Sequence, residues 1–118
     1  MFPELAALLS MSKEYAQRSH WSAQSHAQHT TLGEFYDDLI PLVDSLVEMY
    51  QGRTRSRLAI PFCEPSVGDP VTILSAHLEI IEGTRFQAVD AKDTPLQNKI
   101  DEICGLYLST LNKLVNYP

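Results

Sequence analysis

Basic residues are scarce in this chain. Nine lysines and arginines stand against fifteen aspartates and glutamates, a formal charge of −6 over 118 residues. That balance argues against general affinity for DNA or for an anionic membrane, since both need a basic footprint. Cysteine is nearly missing as well: Cys63 and Cys104 form no close-spaced pair. A disulfide framework and the common zinc spacings are thereby excluded, and a reducing compartment fits. Cys104, inside a helical pattern, reads as a small core residue. No apolar run approaches the ~20 residues of a membrane-spanning helix. The opening "MFPELAALLSMSKEYAQ" has neither a basic leader nor a small-residue cleavage pattern, so no signal peptide is expected. Nor is there a glycine-rich phosphate loop. A cytoplasmic protein is the expectation.

What remains is the composition of one soluble globular domain spanning residues 1–118, with 44% hydrophobic and 20% charged residues. A chain of this length buries a core without covalent staples. No internal repeat, low-complexity tract or linker divides it.

Four segments carry helical periodicity. The first runs from about Pro3 to about Trp21, with Leu5, Leu8, Leu9, Met11 and Tyr15 loosely periodic. The second runs from about Ser25 to Gln51, where Leu32, Tyr36, Leu39, Val43, Leu46 and Tyr50 recur at three- and four-residue steps. Gly52 offers a C-terminal stop, and Pro41 predicts a kink because it cannot donate to the carbonyl of Asp37. The third starts with Asp69 as cap and Pro70 in the first helical position. Its stripe is Val71, Leu74, Leu78 and Ile81, and Gly83 is expected to end it. In the fourth, "TPLQ" predicts Thr94 as cap, Pro95 as first helical residue and Gln97 as the reciprocal partner of a capping box. Leu96, Ile100, Ile103, Tyr107, Leu111 and Leu114 form its stripe, and Gly105 suggests close approach by a neighbouring helix.

Strand-like alternation is weak throughout, so the reading is an all-α four-helix bundle. Residues 53–68, "RTRSRLAIPFCEPSVG", form a long crossover between helices two and three, the connection of ferritin-like bundles.

The second helix carries a polar stripe, "SHAQHTTLGEFYDDLIPLVDSLVE". With Asp44 as zero and about 100° per residue, Asp37 lies about 20° away, Glu48 about 40°, His26 about 0° and His29 about −60°. These five share the flank between the apolar stripe and the wet side, where a metal site shared with a neighbouring helix or subunit would lie. Imidazole with carboxylate suits iron, manganese or zinc. The plainer reading is a solvated helix face; the histidine upstream of the D-x-x-x-E pair moves the balance toward metal, because imidazole is a common ligand.

His20-Trp21 at the end of the first helix, His29 at the opening of the second, and Asp44 with Glu48 farther along it together resemble the Dps family of mini-ferritins. The wording of the second helix resembles small bacteriophage-encoded Dps-like proteins of unassigned function. The resemblance covers the first half of the chain and extends to the second half only as helix pattern. It implies a ferritin-like fold, a homo-oligomer and an iron-oxidising site across a two-fold interface. Asp44 and Glu48 of one subunit would meet His20 and His29 of its neighbour, with His26 and Asp37 in reserve. The activity implied is that of a ferroxidase, with peroxide or oxygen taking the electrons, and Trp21 by analogy a nearby electron donor or, more simply, a bulky anchor packed at the helix end. For a phage-encoded member the setting would be the host-cell cytoplasm.

Several departures stand out. The family places an aspartate ligand four residues after its histidine, where this chain has Gly33. The loop between His20 and His29 and the chain itself are shorter, and the basic tail used for DNA binding has no counterpart, so neither a closed shell nor DNA binding is carried over. The Glu-x-x-His motif of di-iron bundles does not occur, so no di-iron centre inside the bundle is expected. Gly33 and Pro41 favour an alternative: a non-enzymatic structural or interaction protein with a degenerate metal site. A further option is an anion bound by Arg53, Arg55 and Arg57, against which stands the ordinary basic last turn of a helix. His77 reads as a surface or packed histidine.

Overall fold

The computed structural model describes residues 1–118. Four helices account for nearly all regular structure: α1 (Phe2–Ser22), α2 (His26–Thr54), α3 (Pro70–Ala88) and α4 (Thr94–Asn116), with no strand. None is long and apolar enough to cross a membrane. At about 1.5 Å per residue, α2 alone is about 43 Å long, matching the longest dimension of the molecule, 44 Å.

Each helix packs on two others, α1 on α2 and α3, and α4 on α2 and α3. Side-chain contacts at the ends fix the directions. Phe2 stacks on Tyr50 at the end of α2 with ring centroids 3.8 Å apart, while His20 meets His29 at its start. Arg53 reaches Asp93 before α4, and Glu34 pairs with Lys113 near its end. Ser12 bonds to His77 and Tyr15 to Gly68, and Arg85 bonds to Gln97 and Asp101. Every neighbouring pair is therefore antiparallel, and α2 and α3 lie on a diagonal, parallel to each other.

A parallel diagonal pair demands a connection that returns the length of the bundle. Residues 55–69 supply it without regular structure. The amide of Leu58 donates to the Gln51 side chain at the end of α2. Farther on, Pro61–Cys63 lie beside Ala7, Ser10 and Met11, and Pro65–Gly68 beside Tyr15 and Ser19. The crossover thus runs along α1 from its first turns to its last.

The core comes from the expected stripes: Leu5, Leu9, Leu32, Leu39, Leu46, Leu74, Ile81, Ile100, Ile103 and Tyr107 are buried. Phe2 and Phe35 join them, and Cys104 is buried as expected. Phe35 meets Tyr107 edge to face at 4.9 Å. Burial of this kind, about 1.5–3 kcal/mol per large apolar side chain, holds helices whose connections supply little.

Several boundaries differ from the sequence reading. α2 runs through Pro41, as the sequence reading has it, but continues beyond Gly52 to Thr54. Pro41 and Asp37 both face solvent, so the carbonyl that loses its partner can bond water instead. The left-handed position after α2 is Arg55, φ 58°, rather than a glycine. α3 continues through Gly83 to Ala88 because Ala88 and Val89 are buried and Arg85 is anchored on Gln97. The cap of α4 is Asp93, which accepts from the Leu96 amide, and Thr94 is already helical. Gln97 is no capping-box partner. Its amide donates to the carbonyls of Val89 and Asp90, and its oxygen accepts from Arg85, so it closes the α3–α4 turn. Gly105 is exposed, and a Cβ placed there would meet nothing within 4 Å, so no neighbouring helix requires a glycine at this position.

Candidate functional site

α1 ends at Ser22 and α2 begins at His26, capped by Ser25, whose hydroxyl accepts from the Gln28 amide at 3.0 Å. So short a turn brings the last turn of α1 against the first of α2, and with them His20 and His29. Their rings stack with centroids 3.8 Å apart and 17° between planes. The hydrogen bonding is reciprocal: Nδ1–H of His29 donates to the carbonyl of His20 at 2.8 Å, and Nδ1–H of His20 to the carbonyl of His29 at 2.5 Å. With Nδ1 donating, the neutral ring keeps a lone pair on Nε2, and neither Nε2 makes a bond within the chain. A backbone carbonyl on one nitrogen, with the other left free, is how metal-binding histidines are commonly oriented.

Gly33 explains how the rings fit. A Cβ at this position would lie 2.8 Å from Cε1 and 2.9 Å from Nδ1 of His20, closer than real contacts allow. The His20 ring occupies the space that an aspartate would need. The missing carboxylate and the stacked pair are thus one feature, which spacing along α2 alone does not disclose. Tyr36, one turn on, meets the His20 ring edge to face at 5.5 Å. Its periodic placement marked it as core, and nothing in the sequence marks it as a neighbour of His20.

His26 sits in the first turn, exposed, its ring centroid 6.3 Å from that of His29 and its Nε2 3.5 Å from the Thr30 hydroxyl. Asp37, Asp44 and Glu48 are all exposed and make no ion pair within the chain. Asp44 and Glu48, one turn apart, border a shallow open groove with Pro41, Ser45 and Met49. Fifteen residues of helix separate His29 from Asp44, about 22 Å along the axis. The histidines and the carboxylates therefore form two separate groups, and no three metal-capable side chains converge within one chain.

Trp21 is 66% exposed: it points away from the bundle and anchors nothing. Of the three arginines, Arg53 is already committed to Asp93 through two bonds of 2.7 and 3.1 Å. It holds the Asp93 carboxyl below the usual range, with the Leu96 amide contributing. Arg55 and Arg57 remain exposed without a carboxylate partner. The cluster is mainly the basic end of a helix, with one member spent on the next helix's cap. His77 is buried between Ser12 and Ser66, the packed alternative of the two expected.

The chain belongs to a family of unknown function, DUF5856, whose model matches residues 20–114, a span containing all six candidate ligands. No curated protein sequence and no solved structure matches it.

Proposed function

We propose that this protein is a ferritin-like, Dps-like homo-oligomer that binds ferrous iron between subunits and oxidises it. The observation that carries this reading is the His20–His29 pair. Each imidazole is held by a carbonyl through Nδ1, leaving two Nε2 lone pairs at one end of α2 and two unpaired carboxylates, Asp44 and Glu48, farther along it.

A second copy packed antiparallel on α2 would bring the two groups together. A dyad crossing near Asp37 and Asp38, midway between the histidine and the carboxylates, sets His29 of one subunit opposite Asp44 and Glu48 of the other. Two equivalent sites result, one on each side of the axis, as an isologous contact requires. Asp37 then lies beside the dyad, and His26 one turn before His29, as further donors. Mixed imidazole and carboxylate donors accept ferrous iron, and manganese or zinc as competitors. Two ferrous ions would give one electron each to hydrogen peroxide, whose O–O bond breaks, and two protons from solvent carry its oxygens away as water. The carboxylates stabilise the rising positive charge, and the ferric product leaves by hydrolysis. The parallel α2–α3 diagonal with its lengthwise crossover supports a ferritin-like topology.

The competing reading is an interaction protein on the same bundle. It is favoured by the His20 ring in the place of a carboxylate beside Gly33. Anaerobic ferrous titration followed by peroxide separates the two. Saturable binding that disappears in Asp44→Ala and His29→Ala supports the iron protein, and no binding by the folded chain leaves the interaction protein.

A further inference from the structure

Ser12 and His77 are a polar pair inside an apolar bundle. The Ser12 hydroxyl is fully buried and lies 2.6 Å from Nδ1 of His77, itself only 5% exposed. On the other side of the ring, Nε2 lies 2.9 Å from the hydroxyl of Ser66 in the crossover. Tyr15 faces the ring edge-on at 6.5 Å and donates its hydroxyl to the carbonyl of Gly68. One imidazole therefore ties α1, α3 and the crossover together. It reaches residues 66–68, the last stretch of a segment with no backbone ladder of its own. Beyond Ser12, the Tyr107 hydroxyl is buried with no hydrogen-bond partner.

We propose that His77 is an acid-sensitive latch: the neutral ring holds residues 66–68 of the crossover against α1 and α3, and protonation of the ring releases them. Neutral His77 satisfies both serines, with Ser12 donating into Nδ1 and Nε2–H donating to Ser66. An added proton makes Nδ1 a donor, so the Ser12 hydrogen must turn away from the ring, and a charge appears in an apolar site. Burial disfavours the charged form of this ring. The titratable groups around it are Tyr15 on α1, Tyr107 on α4 and Asp69 at the head of its own helix; Glu14 and Arg18, which line the groove beside Ser66–Gly68, are paired with each other at 2.8 Å. Burial raises both tyrosines, so they stay neutral in acid, and the Asp69 carboxylate is engaged by Thr72. No anion is placed to accept the imidazolium. Water reaches it by displacement of the Ser66 segment, whose neighbour Val67 is already 90% exposed. The sign follows: the closed form is favoured above the ordinary histidine range and loses ground as pH falls through it. This device is independent of the iron reading.

The test is the amide NMR spectrum of the full chain from pH 7.5 to 5, with the Ser66, Val67 and Gly68 signals and the His77 ring followed together. For a latch opened by one proton, the ratio of released to docked segment rises about tenfold per pH unit below pH ~6.5 until the folded ring titrates, and the three amides move toward unstructured-chain shifts with it. In His77→Gln, which keeps donor and acceptor but cannot titrate in this range, those shifts are independent of pH. Ser66→Ala moves the Val67 and Gly68 signals toward unstructured-chain shifts already at pH 7.5. Signals that ignore pH in the wild type, or that move equally in His77→Gln, overturn the proposal, as do wild-type shifts in Ser66→Ala.

Discussion

Replacing Gly33 by alanine separates geometry from stability. The new Cβ would sit 2.8 Å from Cε1 of His20, so something must move, and the ring at the end of a side chain moves more readily than helix backbone. Swinging out, His20 loses its bond to the His29 carbonyl and the stacked contact. The hydrogen bond is worth about 0.5–1.5 kcal/mol. Against it stands the gain of alanine over glycine inside a helix, about 0.8–1.0 kcal/mol. The two nearly cancel. Thermal unfolding of Gly33→Ala should therefore stay within about 4 °C of wild type, since ~1 kcal/mol corresponds to roughly that shift at this chain length. Nitrogen-15 spectra of the histidine rings should nevertheless show His20 no longer fixed with its proton on Nδ1, and divalent-metal binding should fall. The control is Gly105→Ala, where nothing lies within 4 Å of the new Cβ and a gain of about 0.5–1 kcal/mol is expected. An unchanged His20 tautomer in Gly33→Ala would refute the reasoning, and a drop well beyond 4 °C would show that the backbone yields instead.

Tyr107→Phe removes a buried hydroxyl with no well-formed partner, so urea unfolding should show no loss and up to about 1 kcal/mol of gain; a clear loss would show that it bonds to Ser12 or to a bound water. Leu39→Ala, fully buried beside the Pro41 turn, should cost about 2–5 kcal/mol, read by the same assay. Asp93 caps α4 and is held below the usual carboxylate range chiefly by Arg53. Its contribution is present above the unfolded value near pH 3.9 and is lost as pH falls through the lower folded value. Arg53→Ala should flatten that acid dependence, measured as melting temperature between pH 5 and 2.5.

How much of this was legible in the sequence differs between the fold and the site. The 3.6-residue stripes located all four helices and most of the core, because burial of one helix face leaves a periodic record. Helix ends at Gly52 and Gly83 were misplaced, since tertiary anchors such as Arg85–Gln97 and Arg53–Asp93 extend helices past residues of poor propensity. Gln97 occupies the position of a capping box and performs another task, because a buried amide spans the α3–α4 turn where local bonding was expected. Individual site residues were legible as residue types, but the joint placement of His20 and Gly33 was not. It depends on two helices crossing at a short turn, and a lone glycine in a helix gives no sign of what it accommodates. The Ser12–His77–Ser66 chain spans three elements far apart in sequence, with no spacing to announce it.

The central claim is that each site takes its histidines from one subunit and its carboxylates from the other. Subunit complementation tests it most directly. One variant carries His20→Ala with His29→Ala, the other Asp44→Ala with Glu48→Ala, and neither alone should bind ferrous iron. Unfolded together and refolded as an equal mixture, they form heterodimers in which one of the two sites is intact and the other lacks both halves. The account predicts that isolated heterodimers bind half the wild-type amount of iron and oxidise it with peroxide. Heterodimers that bind none, or either variant alone binding at the wild-type level, would contradict it.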